Sequence, residues 1–191
     1  SQHRPLNQGA NPYSDIACLE AIKLVGNHIV QAVNDPVEEN YDALMFAGML
    51  AGIGFGNAGC HLPHGMSYAV AGLVKDYAPE GWPTDHNMVP HGISVIVNSP
   101  AVFRKTGPAC AERHWQAAAA MGADLTDTKV EDGGDILADQ ILGMMRETGI
   151  PNGLSGVGYS MDDLDALTDG SYIQKRLIDN GPMPISRDEL K

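Results

Sequence analysis

Two of the seven histidines in this 191-residue sequence stand between a proline and a glycine: His64 in CHLPHGMSY and His91 in HNMVPHGIS. Proline favours the first helical position, so Pro63 and Pro90 each predict a helix start with the histidine in its first turn. There the ring lies near free backbone N–H groups and the positive end of the helix dipole, which disfavours imidazolium. Neutral imidazole is the form that binds a metal. Gly65 and Gly92 take side-chain bulk away from each ring, which leaves room for a ligand. Read singly, such a histidine is most often a surface or structural residue. The repeated context instead points to a pair serving one cation.

Two imidazoles are half of a catalytic metal site, which generally takes three or four protein ligands. The chain contains neither D-x-x-x-H nor H-x-x-x-H. His61, ahead of the break at Pro63, and the Asp85-His86 pair in a predicted loop are further contributors with no helical spacing to recommend them. A different motif imitates a dinucleotide site: Gly54, Gly56 and Gly59 in GFGNAG have the G-x-G-x-x-G spacing, with Asp76 about twenty residues on. A true fingerprint follows a β-branched strand and opens a continuous helix. This one ends a long Ala/Met/Leu run and is cut by Pro63, so these glycines read as places where helices, or a helix and a ligand, approach closely.

The elements that must carry these residues are mostly helical. After an irregular arm over residues 1–13, Ser14 can cap a helix whose apolar positions run from Ile16 through Leu19, Ile22, Val25 and Ile29 to Val33. EENYDALMFAGMLAGIGF is a second helical run, rich in good helix formers. An apolar run follows each PHG, and in the second of them Val95, Ile96 and Val97 fit a short strand as well as a helix. Pro108 suits the first turn of a helix ending at Gly122, and residues 134–147 form another, stopped by Gly149. Ser160 and Asp163 make a capping-box pattern. With no repeat and no alternating series, residues 14–191 read as one all-α domain.

Composition narrows the partners. Apolar residues make up 43% and charged residues 19%, as in folded globular chains. A net charge of −12 gives no attraction to nucleic acid or an anionic membrane, so a small-molecule or protein partner is expected. Three cysteines without a C-x-x-C pair suggest neither disulfides nor a cysteine zinc site, and fit a reducing compartment: the cytoplasm or, in a eukaryote, the mitochondrial matrix.

The segments QGANPYSD, FAGMLAGIGFGNAGCHLPHGMSY, DHNMVPHG, SPAVF, ERHWQAAAAMGAD and GVGYSMDDL together resemble the C-terminal part of the iron-containing alcohol dehydrogenase family, closest to its hydroxyacid-oxoacid transhydrogenase branch. The resemblance runs from about Arg4 to Leu190. It implies the helical metal-binding domain of a dehydroquinate-synthase-like two-domain enzyme. His64 and His91 match two metal-ligating histidines; the other ligands, an Asp and a His from a D-x-x-x-H helix, and the NAD(P)-binding domain would precede Ser1. The metal would be a divalent cation, iron by preference or zinc, and the chain's partners its own N-terminal domain and a hydroxyacid or oxoacid, with a homodimer left open. Many family members place a second histidine four residues after the first ligand. Here that position is Tyr68, and His61 is the candidate to replace it in proton transfer.

The activity implied is hydride transfer from a hydroxyacid such as 4-hydroxybutyrate to a 2-oxoacid such as 2-oxoglutarate, with Arg104 and Lys105 as candidate contacts for the anionic substrate. The chain alone is expected to be inactive. The alternatives are an iron-containing alcohol dehydrogenase for another small alcohol or aldehyde, a freestanding helical metal protein using His61, His64, Asp85 and His91, and an interaction module with structural histidines.

Overall fold

A computed structural model describes residues 9–191. Nine α-helices and five short 3-10 turns occur among the described residues, with an irregular stretch over 73–90, and no strand occurs among them. The expected arm lies partly outside the described residues, and what is described of it is shorter than expected. Helix α1 (Pro12–Asn34) starts two residues before Ser14, because Asn11 rather than Ser14 is the cap, its side-chain oxygen accepting the Ser14 N–H, and Pro12 takes the first helical position. Ser14 is left fully buried inside the first turn.

Helix α2 (Glu38–Ala58) doubles back along α1. Buried Asn40 fastens the hairpin: its carbonyl oxygen accepts the Val37 N–H, and its amide lies 3.1 Å from His28 Nδ1 and donates to Gln31 Oε1. The close packing depends on Gly54, since a Cβ there would stand 2.2 Å from Cys18 Sγ. Of the GFGNAG glycines, Gly54 thus makes the expected close helix approach, whereas Gly56 faces open space. α1 is long and apolar enough, by length and composition, to cross a bilayer; it carries Asp15, Glu20 and Lys23 and packs on α2, α6 and α7.

Helices α3 (Leu62–Gly72), α4 (His91–Ile96) and α5 (Ser99–Thr106) follow, and Val95 and Ile96 are helical rather than extended. Ile93 and Val97, one turn apart, enter a core with Val70, Val157 and Leu167, and that burial overrides β-branched preference. Pro100 has no N–H for a continuing helix, so the chain breaks between α4 and α5. Pro108 sits in a 3-10 turn, and α6 (Ala111–Ala120) starts after Cys110. α7 (Gly133–Thr148) ends at left-handed Gly149 (φ +72°), as the sequence predicts. The Ser160–Asp163 box forms ahead of α8 (Leu164–Tyr172), and α9 (Lys175–Ile178) is a single turn packed on α3.

Candidate functional site

The path from α2 into α3 builds the first half of the site. Gly59, at positive φ (+78°), turns the chain, and the two helix axes differ by 107°. His61 becomes the residue that caps α3, its carbonyl accepting the N–H groups of His64 (3.0 Å) and Gly65 (3.1 Å). Leu62 therefore opens the helix and Pro63 is second, one place later than expected, with His64 still in the first turn. In the second copy Pro90 is itself the cap, and His91 is the first residue of α4.

The two starts share more than the tripeptide. Ser67 Oγ donates to the His64 carbonyl and Ser94 Oγ to the His91 carbonyl, both at 2.8 Å, from serines only 1% and 0% exposed. The repeated unit is thus P-H-G-x-S, and the serines could have been found by extending the comparison two residues. Each fixes the backbone that aims an imidazole.

The rings of His64 and His91 stand 5.3 Å apart between centroids, tilted by 59°. A metal–nitrogen bond of ~2.1 Å puts a ring centre roughly 3.2 Å from the metal, so two imidazoles at a tetrahedral angle are about 5 Å apart. The observed separation is one that a single cation can span. Burial and the neighbouring His91 lower the pKa of His64, so it is deprotonated at neutral pH and available as a ligand.

A cleft of about 320 Å³ opens on both rings and is lined by Tyr68, Phe55, Cys60 and Arg176 besides the histidines. Tyr68, half exposed one turn after His64, thus faces the same space. The two glycines differ from expectation. A Cβ on Gly65 would meet Ile178 Cδ1 at 3.1 Å and Leu177 Cβ at 3.4 Å, so Gly65 makes room for α9 rather than for a ligand. Only Gly92 faces open space. Because α9 comes this close, Arg176 reaches the cleft.

Sequence reasoning missed Arg176, because a one-turn helix has no periodicity to announce it. Arg104 and Lys105 lie elsewhere: Arg104 pairs with Asp135 and Asp139, and Lys105 with Glu189.

His61 lies behind His64. Both line an adjoining apolar groove of about 580 Å³, walled by α1, α2 and α5, and His61 is not among the residues of the cleft. Burial, with the charges of His114 and His64, pushes its pKa down to about 4, and its buried Nδ1 has no partner. Asp85 and His86 are exposed and bonded to each other at 2.8 Å. Among the described residues no three His, Cys, Asp or Glu side chains converge on one point, so a freestanding site from His61, His64, Asp85 and His91 is not assembled.

The Fe-containing alcohol dehydrogenase family, C-terminal, matches residues 6–191. The hydroxyacid-oxoacid transhydrogenase, mitochondrial, of Xenopus laevis is 44% identical over 189 residues, which cover 98% of this chain and 41% of that protein. Its Homo sapiens counterpart is 42% identical over 188 residues, 98% and 40% of the respective chains. The chain therefore spans about two fifths of these relatives.

In fold it is similar to a crystal structure of 1,3-propanediol oxidoreductase (TM-score 0.83, 24% identity, 96% of this chain and 44% of the other). It is also similar to sulfoacetaldehyde reductase from Bifidobacterium kashiwanohense in complex with NAD+ (TM-score 0.75, 23% identity, 96% and 43%). With a family match across nearly the whole chain and an all-helical fold shared with these enzymes, the chain belongs to the iron-containing alcohol dehydrogenase family, as its C-terminal helical domain.

Proposed function

We propose that this chain is the metal-binding domain of a metal-dependent, NAD(P)-linked hydroxyacid-oxoacid transhydrogenase that moves a hydride from a hydroxyacid such as 4-hydroxybutyrate to a 2-oxoacid such as 2-oxoglutarate. The observation that carries this reading is the pair of P-H-G-x-S helix starts, which hold two imidazoles at the separation one cation requires, in a chain over 40% identical to enzymes of that name. His64 and His91 would hold a divalent metal, iron by preference or zinc, since borderline cations accept imidazole nitrogen.

When bound, such a metal supplies Lewis-acid polarisation of the substrate oxygen, lowering the pKa of an alcohol there. The buried hydroxyls of Ser67 and Ser94 hold the two histidine backbones, from which each ring projects. Phe55 and Leu177 give the cleft apolar walls for a short carbon chain and limit water beside it. Tyr68 offers a phenol to the same space, a weak proton carrier near neutral pH. His61, behind the ligand pair and neutral, fills space beside the apolar groove rather than relaying protons. The remaining ligands and the nicotinamide cofactor belong to an N-terminal domain of the intact protein, and the mitochondrial names of the relatives point to the matrix in a eukaryote.

The test is made on the intact protein: His64→Ala and His91→Ala are each expected to lower bound metal and to abolish 2-oxoglutarate-dependent oxidation of 4-hydroxybutyrate. Full metal content and activity in both variants would refute the assignment. Rapid release of NADH from free NAD+, without need of an oxoacid, would point instead to a plain alcohol dehydrogenase.

A further inference from the structure

Every transhydrogenase substrate of the proposed kind carries a carboxylate, yet the chain has 24 acidic against 12 basic side chains. Its surface would repel such a substrate unless a cation waits at the site. Most basic groups are already engaged. Lys75, Arg104, Lys105, Arg113, Arg187 and Lys191 make ion pairs with acidic partners, and Lys175 lies 3.1 Å above the Tyr172 ring.

Arg176 is different. It makes no ion pair and no side-chain hydrogen bond among the described residues, and it is the sole cation lining the cleft with His64, His91 and Tyr68. Its charge also reaches the cleft wall, where it opposes the rise that burial causes in the Cys60 thiol pKa. Gly65 admits α9 against α3, which holds the backbone under Arg176 in place.

We infer that Arg176 is the residue that recognises the substrate carboxylate, and so selects short hydroxyacids and oxoacids over neutral alcohols. This rests on the hydroxyacid reading above. The guanidinium is suited to the task because its planar fork can take both carboxylate oxygens at once. Phe55 and Leu177 line the same cleft as Arg176 and the imidazoles, and their apolar surfaces suit the methylenes of such a substrate. The hydroxyl end of the substrate then faces His64 and His91, and the acid end faces Arg176. The roughly 320 Å³ of the cleft accommodates a four- or five-carbon acid.

The experiment uses the intact enzyme with Arg176→Gln and Arg176→Lys, with circular dichroism and metal content as controls on folding. Steady-state kinetics are compared for 4-hydroxybutyrate and for 1-butanol, which lacks the carboxylate. Arg176→Gln is expected to reduce kcat/KM for the acid by about 10- to 150-fold more than for the alcohol, the range for a lost charge-assisted hydrogen bond. Arg176→Lys should recover part of that difference, because it restores the charge without the fork. Equal losses for acid and alcohol, or a rise confined to the KM for NAD+, would overturn the inference.

Failure of the hydroxyacid reading shows separately, in the wild-type enzyme. A wild type that oxidises butanol but not 4-hydroxybutyrate, and is inhibited competitively by butanoate only while Arg176 is present, sinks that reading and supports the arginine's role. The same wild type with butanoate inhibition absent, or insensitive to the variant, overturns both.

Discussion

Gly65 and Gly92 occupy the same place in two copies of one motif, so alanine at each makes a matched pair of perturbations. Both substitutions gain similar helix propensity, up to about 1 kcal/mol, and that common gain cancels in the comparison. What differs is the space. The new methyl at residue 65 would stand 3.1 Å from Ile178 Cδ1 and 3.4 Å from Leu177 Cβ, whereas nothing lies within 4 Å at residue 92. Overpacking of this kind costs about 1–3 kcal/mol. At roughly 2–4 °C per kcal/mol for a domain of this size, Gly65→Ala should melt about 2–12 °C below Gly92→Ala. Differential scanning calorimetry of the two variants of the intact, metal-free protein reads this directly. Because the strain falls on α9, Gly65→Ala should also raise the KM for 4-hydroxybutyrate. Equal melting temperatures, or a lower one for Gly92→Ala, would refute the argument that Gly65 exists to seat α9.

Other outcomes follow from the same geometry. His61 is neutral in the fold, with a pKa of about 4 against 6.5 when unfolded, so stability is complete above pH 6.5 and falls as pH drops toward 4, by up to about 3 kcal/mol. Denaturant titrations with a chelator present should show that slope, and His61→Gln should flatten it. Tyr159→Phe removes a buried 2.6 Å hydrogen bond to the Val70 carbonyl in the last turn of α3, so urea unfolding should report a loss of about 1–2 kcal/mol. The 191 residues alone should oxidise no 4-hydroxybutyrate with NAD+; measurable turnover would show that two imidazoles suffice.

Helices with long apolar periods and clear stop signals were legible in the sequence, and α2, α3 and α7 lie where their residue types place them. Starts were less so. Ser14 and Asn11 both suit a cap, and only the fixed φ of Pro12 beside Asn11 decides between them. Val95 and Ile96 have β-branched shapes that fit either state, and packing of Ile93 and Val97 against α3 and α8 settles it. At the site, proline and glycine flanks located His64 and His91. The roles of Gly65 and Arg176 were hidden, because they arise where α9 meets α3, over a hundred residues apart in sequence.

The two copies of P-H-G-x-S are alike in local structure and unlike in what backs them, and that difference bears on how the site would work. His64 is half-buried, with its neighbouring glycine pressed by α9, so packing restrains its ring before any cation arrives. His91 is exposed on a helix of six residues, beside a glycine that faces open space. A cation held between the two imidazoles would meet one more restrained and one less restrained ring. Affinity should therefore depend more steeply on His64, where less conformational freedom is lost. Metal titrations of the intact protein bearing His64→Gln or His91→Gln should show the larger loss for His64, and the reverse order would mean that burial around α3 does not preorganise the site.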